Sequence, residues 1–138
     1  MREYLFRAKA AENKGGYKIG ELVHGSLRRT TMDDFYIYDF GTDIRIKVDA
    51  ETVGQYTGIK DRNGCMVYEG DIVQDPELGT LAEIVWNKEN ARFYVRFFGE
   101  NVNPEFINGF DKIGNKWDNK ELIKGMHGPV LAYAEDEE

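Results

Sequence analysis

The feature that most constrains this chain is its punctuation: apolar and aromatic runs last four to seven residues before a glycine-, asparagine- or proline-containing turn cuts them off. Runs of that length suit strands and are too short for amphipathic helices, which need ten or more residues of sustained periodicity. The clearest example is Ile44-Arg45-Ile46-Lys47-Val48, where Ile44, Ile46 and Val48 share one face and Arg45 and Lys47 the other. Such alternation predicts a strand with one packed side and one wet side.

Applied along the chain, the same reading predicts a series of hairpins. Tyr4-Leu5-Phe6-Arg7-Ala8, a turn at Gly15-Gly16 and Tyr17-Lys18-Ile19-Gly20-Glu21-Leu22-Val23 form the first. Phe35–Phe40 and Ile44–Val48, joined through Gly41-Thr42-Asp43, form the second. Asn63-Gly64 is a strong reversal signal because both residues tolerate positive φ, and it leads into Cys65–Tyr68 and Glu69–Val73. Thr80–Trp86 and Ala91–Phe97, around the polar turn Asn87–Asn90, make the best-marked hairpin of all. Helix is scarce: Asp118–Gly125 is the best candidate, with Asp118 as cap, Glu121 three residues on and Gly125 as stop. Pro129–Tyr133 is expected as a last strand and residues 135–138 as a solvated acidic tail.

The fold class expected is therefore mainly β: a small, partly open SH3-like barrel over roughly residues 55–133, with an additional N-terminal β lobe over 1–50 and little helix. At 138 residues this fits a single folded unit, possessing lobes if the chain divides near Asp49–Thr52.

Composition narrows the function. The single cysteine, Cys65, excludes an intramolecular disulfide and suits a reducing cytosol. No apolar run approaches the roughly 20 residues of a membrane span, and no signal-peptide core follows the N-terminus. A net charge of −7 disfavours broad, sequence-independent grip on phosphate. The charge is uneven, however: residues 1–30 hold seven Lys or Arg against three Asp or Glu, and the remainder eleven against twenty-two. Such asymmetry marks either an interaction surface or one lobe held against another, and the second reading is slightly favoured.

The segment Thr52-Val53-Gly54-Gln55-Tyr56-Thr57-Gly58-Ile59-Lys60-Asp61-Arg62-Asn63-Gly64, followed by Tyr68-Glu69-Gly70-Asp71-Ile72-Val73, resembles the central signature of the YopX family of phage and prophage proteins. Arg2–Ala8, Ile84-Val85-Trp86 and Ile113-Gly114-Asn115 leading to Asn119-Lys120-Glu121-Leu122-Ile123 extend the likeness over nearly the whole chain, and residues 9–50 match it least. The resemblance implies a β-rich fold, an origin in a phage or prophage and residence in the bacterial host cytoplasm. It implies no established activity.

Each candidate chemistry has a plainer competitor. Glu69 and Asp71 place two carboxylates two apart, a spacing that serves acid–base work or Mg²⁺, but Glu-Gly-Asp before Ile-Val is also how a chain turns into the first strand of an SH3-like barrel. The architectural reading is preferred, with Gly54, Gly58, Asn63, Gly64, Glu69, Gly70 and Asp71 as turn-building residues. The glycines spell no phosphate loop, so no nucleotide cofactor is expected. Asp33, Asp34, Asp39 and Asp43 lack calcium-loop spacing, and His24, His127 and Cys65 lack zinc spacing. Cys65 is expected as a small side chain filling a partly buried slot.

Binding remains. Tyr17, Lys18, Arg28 and Arg29, with His24, are the main basic and aromatic cluster, and Arg92, Tyr94 and Arg96 repeat it on one strand face. The competing reading is an exposed loop salt-bridged to acidic residues. Trp86, Phe93, Tyr94, Phe97 and Phe98 are expected mostly in the core, and Trp117, among polar neighbours, is the aromatic expected to be partly exposed for a partner. The function expected is a non-enzymatic phage accessory protein that binds another protein. Nucleic-acid binding in phage replication or gene control is the second reading, and self-association through edge strands is compatible with both.

Overall fold

In the computed structural model, which describes residues 5–30, 32–97 and 100–126, the chain is mainly β with two antiparallel sheets and no closed barrel among those residues. The expected strand at 129–133, the acidic tail, Tyr4, Phe98 and His127 lie outside the described residues. The chain divides into two compact units between Tyr56 and Thr57. Among the described residues no helix is long and apolar enough to cross a membrane.

The first unit contains β1 (Phe6–Lys9), β2 (Leu22–Arg29), β3 (Phe35–Asp39), β4 (Arg45–Val48) and the start of β5 (Gly54–Lys60), ordered β4-β3-β2-β1-β5. Alternation sets its two faces. Ala8, Val23, Ile37, Ile46 and Val48 point to one side and, with Ala10, form the buried cluster, joined by Phe6, Leu27, Phe35 and Ile44. Ala8 opposite Val23, Leu27 opposite Ile37 and Ile37 opposite Ile46 keep these side chains in register across the sheet.

The second strand differs from expectation: β2 begins at Leu22, Tyr17 makes only an isolated bridge to Lys14, and Ile19-Gly20 is a turn. Local side chains explain why. Asn13 Oδ1 accepts the Ile19 N–H at 2.9 Å and Glu21 Oε1 accepts the Lys18 N–H at 2.8 Å, so these amides are satisfied without a ladder. Ile19 is left 64% exposed as a result. The strand moves instead into His24–Arg29, which glycine permits: a Cβ on Gly25 would stand 1.9 Å from the Tyr38 carbonyl oxygen. A short 3-10 turn, Ala50–Thr52, closes the unit, its Thr52 hydroxyl accepting the Lys9 N–H at 2.8 Å.

β5 carries the chain into the second unit, where it pairs with β6 (Met66–Tyr68). The other strands there are β7 (Asp71–Gln74), β8 (Leu81–Asn87), β9 (Arg92–Phe97), β10 (Glu100–Val102) and β11 (Asp111–Asn115), ordered β10-β9-β8-β7-β11. The β8–β9 hairpin forms at the expected place, with Ile84 opposite Val95 and Trp86 opposite Phe93. Val67, Val73, Ala82, Ile84, Val95 and Ile107 form its core, with Ile59, Phe97, Val102 and Phe110 packed around them. The helix α1 spans Lys120–Met126, so it starts after Asn119 and runs on past Gly125, where the sequence suggested a cap at Asp118 and a stop at Gly125. Asp118 instead accepts from the Asn115 side chain at 3.1 Å.

Candidate functional site

The glycine- and carboxylate-rich segment that dominates the sequence is built into the second unit as two hydrogen-bonded locks. At the first, β5 ends and the chain reverses through Asp61-Arg62-Asn63-Gly64, with Gly64 at φ +85°. Asp61 is buried, and its Oδ1 accepts the N–H groups of Asn63 and Cys65, each at 2.9 Å, while Oδ2 accepts the Lys112 N–H on β11, also at 2.9 Å. Burial pushes the Asp61 carboxyl up, but these three amides outweigh it and hold the group below the usual carboxylate range. Arg62 and the Asn63 side chain reach β11 as well, both ending on Asp111. Cys65 corrects an expectation: it is exposed, because Asp61, not the thiol, occupies the inside of the loop.

At the second lock, Gly70 turns the chain at φ +93°, its N–H bonded to the Ile84 carbonyl and its own carbonyl taking the Lys116 N–H, both at 2.9 Å. The Trp117 ring lies directly over it, so near that a Cβ would meet Cη2 at 2.5 Å. Asp71 is fully buried; its Oδ2 accepts the Tyr68 N–H at 2.7 Å and lies 3.2 Å from Lys112 Nζ. That ammonium also donates to the Met66 carbonyl at 2.9 Å. Glu69 is half-buried beside this turn. Among the described residues no three of His, Cys, Asp and Glu gather as metal ligands. Gly58, at φ +86°, sits within β5, whereas Gly54 opens that strand opposite Arg7 and is not itself a turn residue.

The basic and aromatic residues are redistributed. Tyr17 packs on the first core and its hydroxyl donates to the Asp39 carboxylate. That bond, with burial and the Asp39 charge behind it, pushes the phenol up to about 12. Lys18 is exposed in the neighbouring turn. Arg29 pairs with Asp33, Nε to Oδ1 at 2.9 Å, which leaves it engaged at the strand end. Arg28 and His24 are different, because they alternate outward from β2 and are exposed.

Those two residues belong to a face shared by β2, β3 and β4 that residue order along the chain does not reveal. Ser26 lies opposite Tyr38 and Arg28 opposite Tyr36; Tyr36 in turn lies opposite Lys47 and Tyr38 opposite Arg45. All of these point away from the first core. The Arg45 guanidinium stands 4.2 Å from the Tyr36 ring centroid, and that of Arg28 5.4 Å from the Tyr38 centroid. Asp34 lies at the margin, 3.8 Å from Lys47 Nζ. The signal was present in the alternation of Phe35–Asp39 and Arg45–Val48; what was missing was β2 shifted to bring Arg28 beside them.

In the second unit Arg92, Tyr94 and Arg96 do share a strand face, opposite Asn87, Val85 and Glu83. Arg92 stands 5.0 Å from the Tyr94 ring centroid, and Arg96 Nε donates to Asn101 Oδ1 at 3.0 Å. Trp86 is 43% exposed at the hairpin end, edge-on to Phe93 at 4.9 Å, and Phe97 packs into the core against Phe110. Trp117 is half-buried over Gly70.

Two antiparallel sheets, with Asp61 and Asp71 of the second unit accepting hydrogen bonds from backbone amides, define a mainly β protein. The family model described as YopX protein matches residues 5–124, and the chain belongs to the YopX family. A crystal structure of protein EF1440 from Enterococcus faecalis is similar over 87% of this chain and 96% of that one, at 20% identity and a TM-score of 0.52, a likeness of fold alone. No curated protein matches the chain.

Proposed function

We propose that this protein is a phage or prophage accessory factor that acts in the bacterial cytoplasm by binding a macromolecule, without catalysis, through the outward face of β2, β3 and β4. The observation that carries this reading is the contrast between two groups of polar residues. Of the carboxylates of the family signature, which would have to supply any acid, base or metal ligand, Asp61 has both oxygens on backbone amides and Asp71 Oδ2 accepts from the Tyr68 amide and lies 3.2 Å from Lys112 Nζ. The cations and tyrosines of the β2–β4 face, by contrast, point outward from a sheet whose other side is packed.

A protein partner is the expectation from sequence, and the composition of the face moves it towards an anionic partner. Tyr and Arg are at home in protein interfaces too, so what favours an anionic partner is charge: the face carries Arg28, Arg45 and Lys47 and no carboxylate between them. Affinity capture of the tagged protein from infected cells tests the reading, comparing the natural chain with Arg28→Ser, Arg45→Ser and Lys47→Ser combined. A partner recovered by the first and lost by the second supports it. Identical recovery by both sinks it.

A further inference from the structure

Resting on that reading of the β2–β4 face, we infer that its ligand is single-stranded nucleic acid, with bases stacked on the Tyr36/Arg45 and Tyr38/Arg28 pairs and phosphates met by Arg28, Arg45 and Lys47. Alternation places His24, Ser26 and Arg28 of β2, Tyr36 and Tyr38 of β3, and Arg45 and Lys47 of β4 on one side. No carboxylate occupies these seven positions; Leu22 begins the same row of β2, and Arg7, opposite His24 on β1, is buried. The patch is therefore cationic on a chain of net charge −7, which concentrates the attraction for a polyanion in one place.

The tyrosines decide between single strand and duplex. Two residues apart on one strand, Tyr36 and Tyr38 have Cα atoms about 6.8 Å apart on the same side, a spacing that gives each ring room for its own base. A duplex keeps its bases stacked on one another and would offer these rings only phosphate and sugar, whereas an unpaired strand offers π-faces to aromatic rings and guanidinium planes alike. Three cations on an acidic chain make a weak grip by charge alone, so stacking has to supply much of the affinity. The β2–β4 face combines both features in one register: each tyrosine has a guanidinium 4.2 or 5.4 Å from its ring centroid.

The test is fluorescence anisotropy with labelled oligothymidylate and oligouridylate of about 20 nucleotides, and a duplex of equal length, titrated over salt. The expected result is binding of at least one single strand in preference to duplex, with log K falling against log salt at a slope of about −2, as three phosphate contacts require. Tyr36→Ala or Tyr38→Ala should weaken binding about tenfold, as loss of one stacked base does. Arg45→Ala and Lys47→Ala, at a surface where folding is not at stake, should each flatten the salt slope. Far-ultraviolet circular dichroism confirms that the tyrosine variants are folded. No binding at low salt overturns the inference, as does equal affinity for duplex or unchanged binding by folded Tyr36→Ala and Tyr38→Ala. If oligonucleotides fail while the triple serine variant still loses a captured partner, the ligand assignment is wrong and the binding face stands. If both fail, the face has no such role.

Discussion

Arg62 grips Asp111 through both arms of the fork, Nε to Oδ1 at 2.6 Å and Nη2 to Oδ2 at 3.1 Å, across 49 residues of sequence. The segment containing Arg62 reads in sequence as a tight turn, and it is one. It is also a clamp, since Asp61 and Asn63 on either side bond to Lys112 and Asp111 of the same strand. The signature of the family is in this sense a non-local device: a reversal whose side chains hold the edge strand β11 in register.

Replacing Asp61 by Asn tests the clamp. An amide keeps one accepting oxygen, which the Asn63 and Cys65 N–H groups already use, and turns its NH₂ towards the Lys112 N–H, donor against donor. A buried donor without an acceptor costs about 1–3 kcal/mol. Asp61→Asn should lower the urea midpoint accordingly with little change in slope, whereas Asn63→Ala, which removes a single exposed bond, should shift it far less.

Acid should loosen the same region. Asp61 is held low by three amides against its burial, and Asp111 is held low first by Arg62 and then by Asn63. A carboxyl whose folded value lies below its unfolded one contributes stability that is complete above the unfolded pKa of about 4 and is lost as pH falls through the folded value. Urea midpoints measured downwards from neutral pH should therefore fall on the acid side. That fall should be shallower in Asp61→Asn and Asp111→Asn combined.

Gly70 is under two separate constraints, and they are separable by experiment. Its φ of +93° penalises any L side chain, by about 1–3 kcal/mol, and Trp117 denies space to a Cβ. Gly70→Ala should thus destabilise strongly. Adding Trp117→Leu should recover the steric part and leave the backbone part, which a double-mutant cycle in urea reads as a non-additive coupling.

Legibility in the sequence followed how local each cause is. The Asn63-Gly64 reversal, the β8–β9 hairpin and the β3–β4 hairpin are decided by neighbouring residues, and all three stand where the pattern places them. The second strand departs from its pattern because Tyr17-Lys18-Ile19 alternates as a strand should, while the Asn13 and Glu21 side chains, six and three residues away, take the Ile19 and Lys18 amides. That single shift hid the outward face of β2–β4, for Arg28 and His24 read as loop residues until Leu22–Arg29 is a strand beside β3. Cys65 is exposed for a similar reason: Asp61 fills the inside of the loop by turning inward to meet Lys112, 51 residues away.

Tyr17 should be recognisable by its titration. Its hydroxyl donates to Asp39, and the phenol is pushed up to about 12 by that bond first, then by burial and the nearby negative charge. The neutral phenol is the form the fold favours. Its contribution to stability is therefore complete below the unfolded pKa of about 10 and is lost as pH rises towards 12. Ultraviolet titration at the phenolate band should show a late-titrating group near 12 that disappears in Tyr17→Phe. In the same variant the Asp39 carboxyl, held low first by the Tyr17 hydroxyl and then by the Gly41 amide, should rise towards the ordinary range, a change that carbon-detected NMR of the aspartates reads directly. A Tyr17→Phe protein with an unchanged late titration would place the strong phenol elsewhere and remove the link between the 11–21 loop and the end of β3.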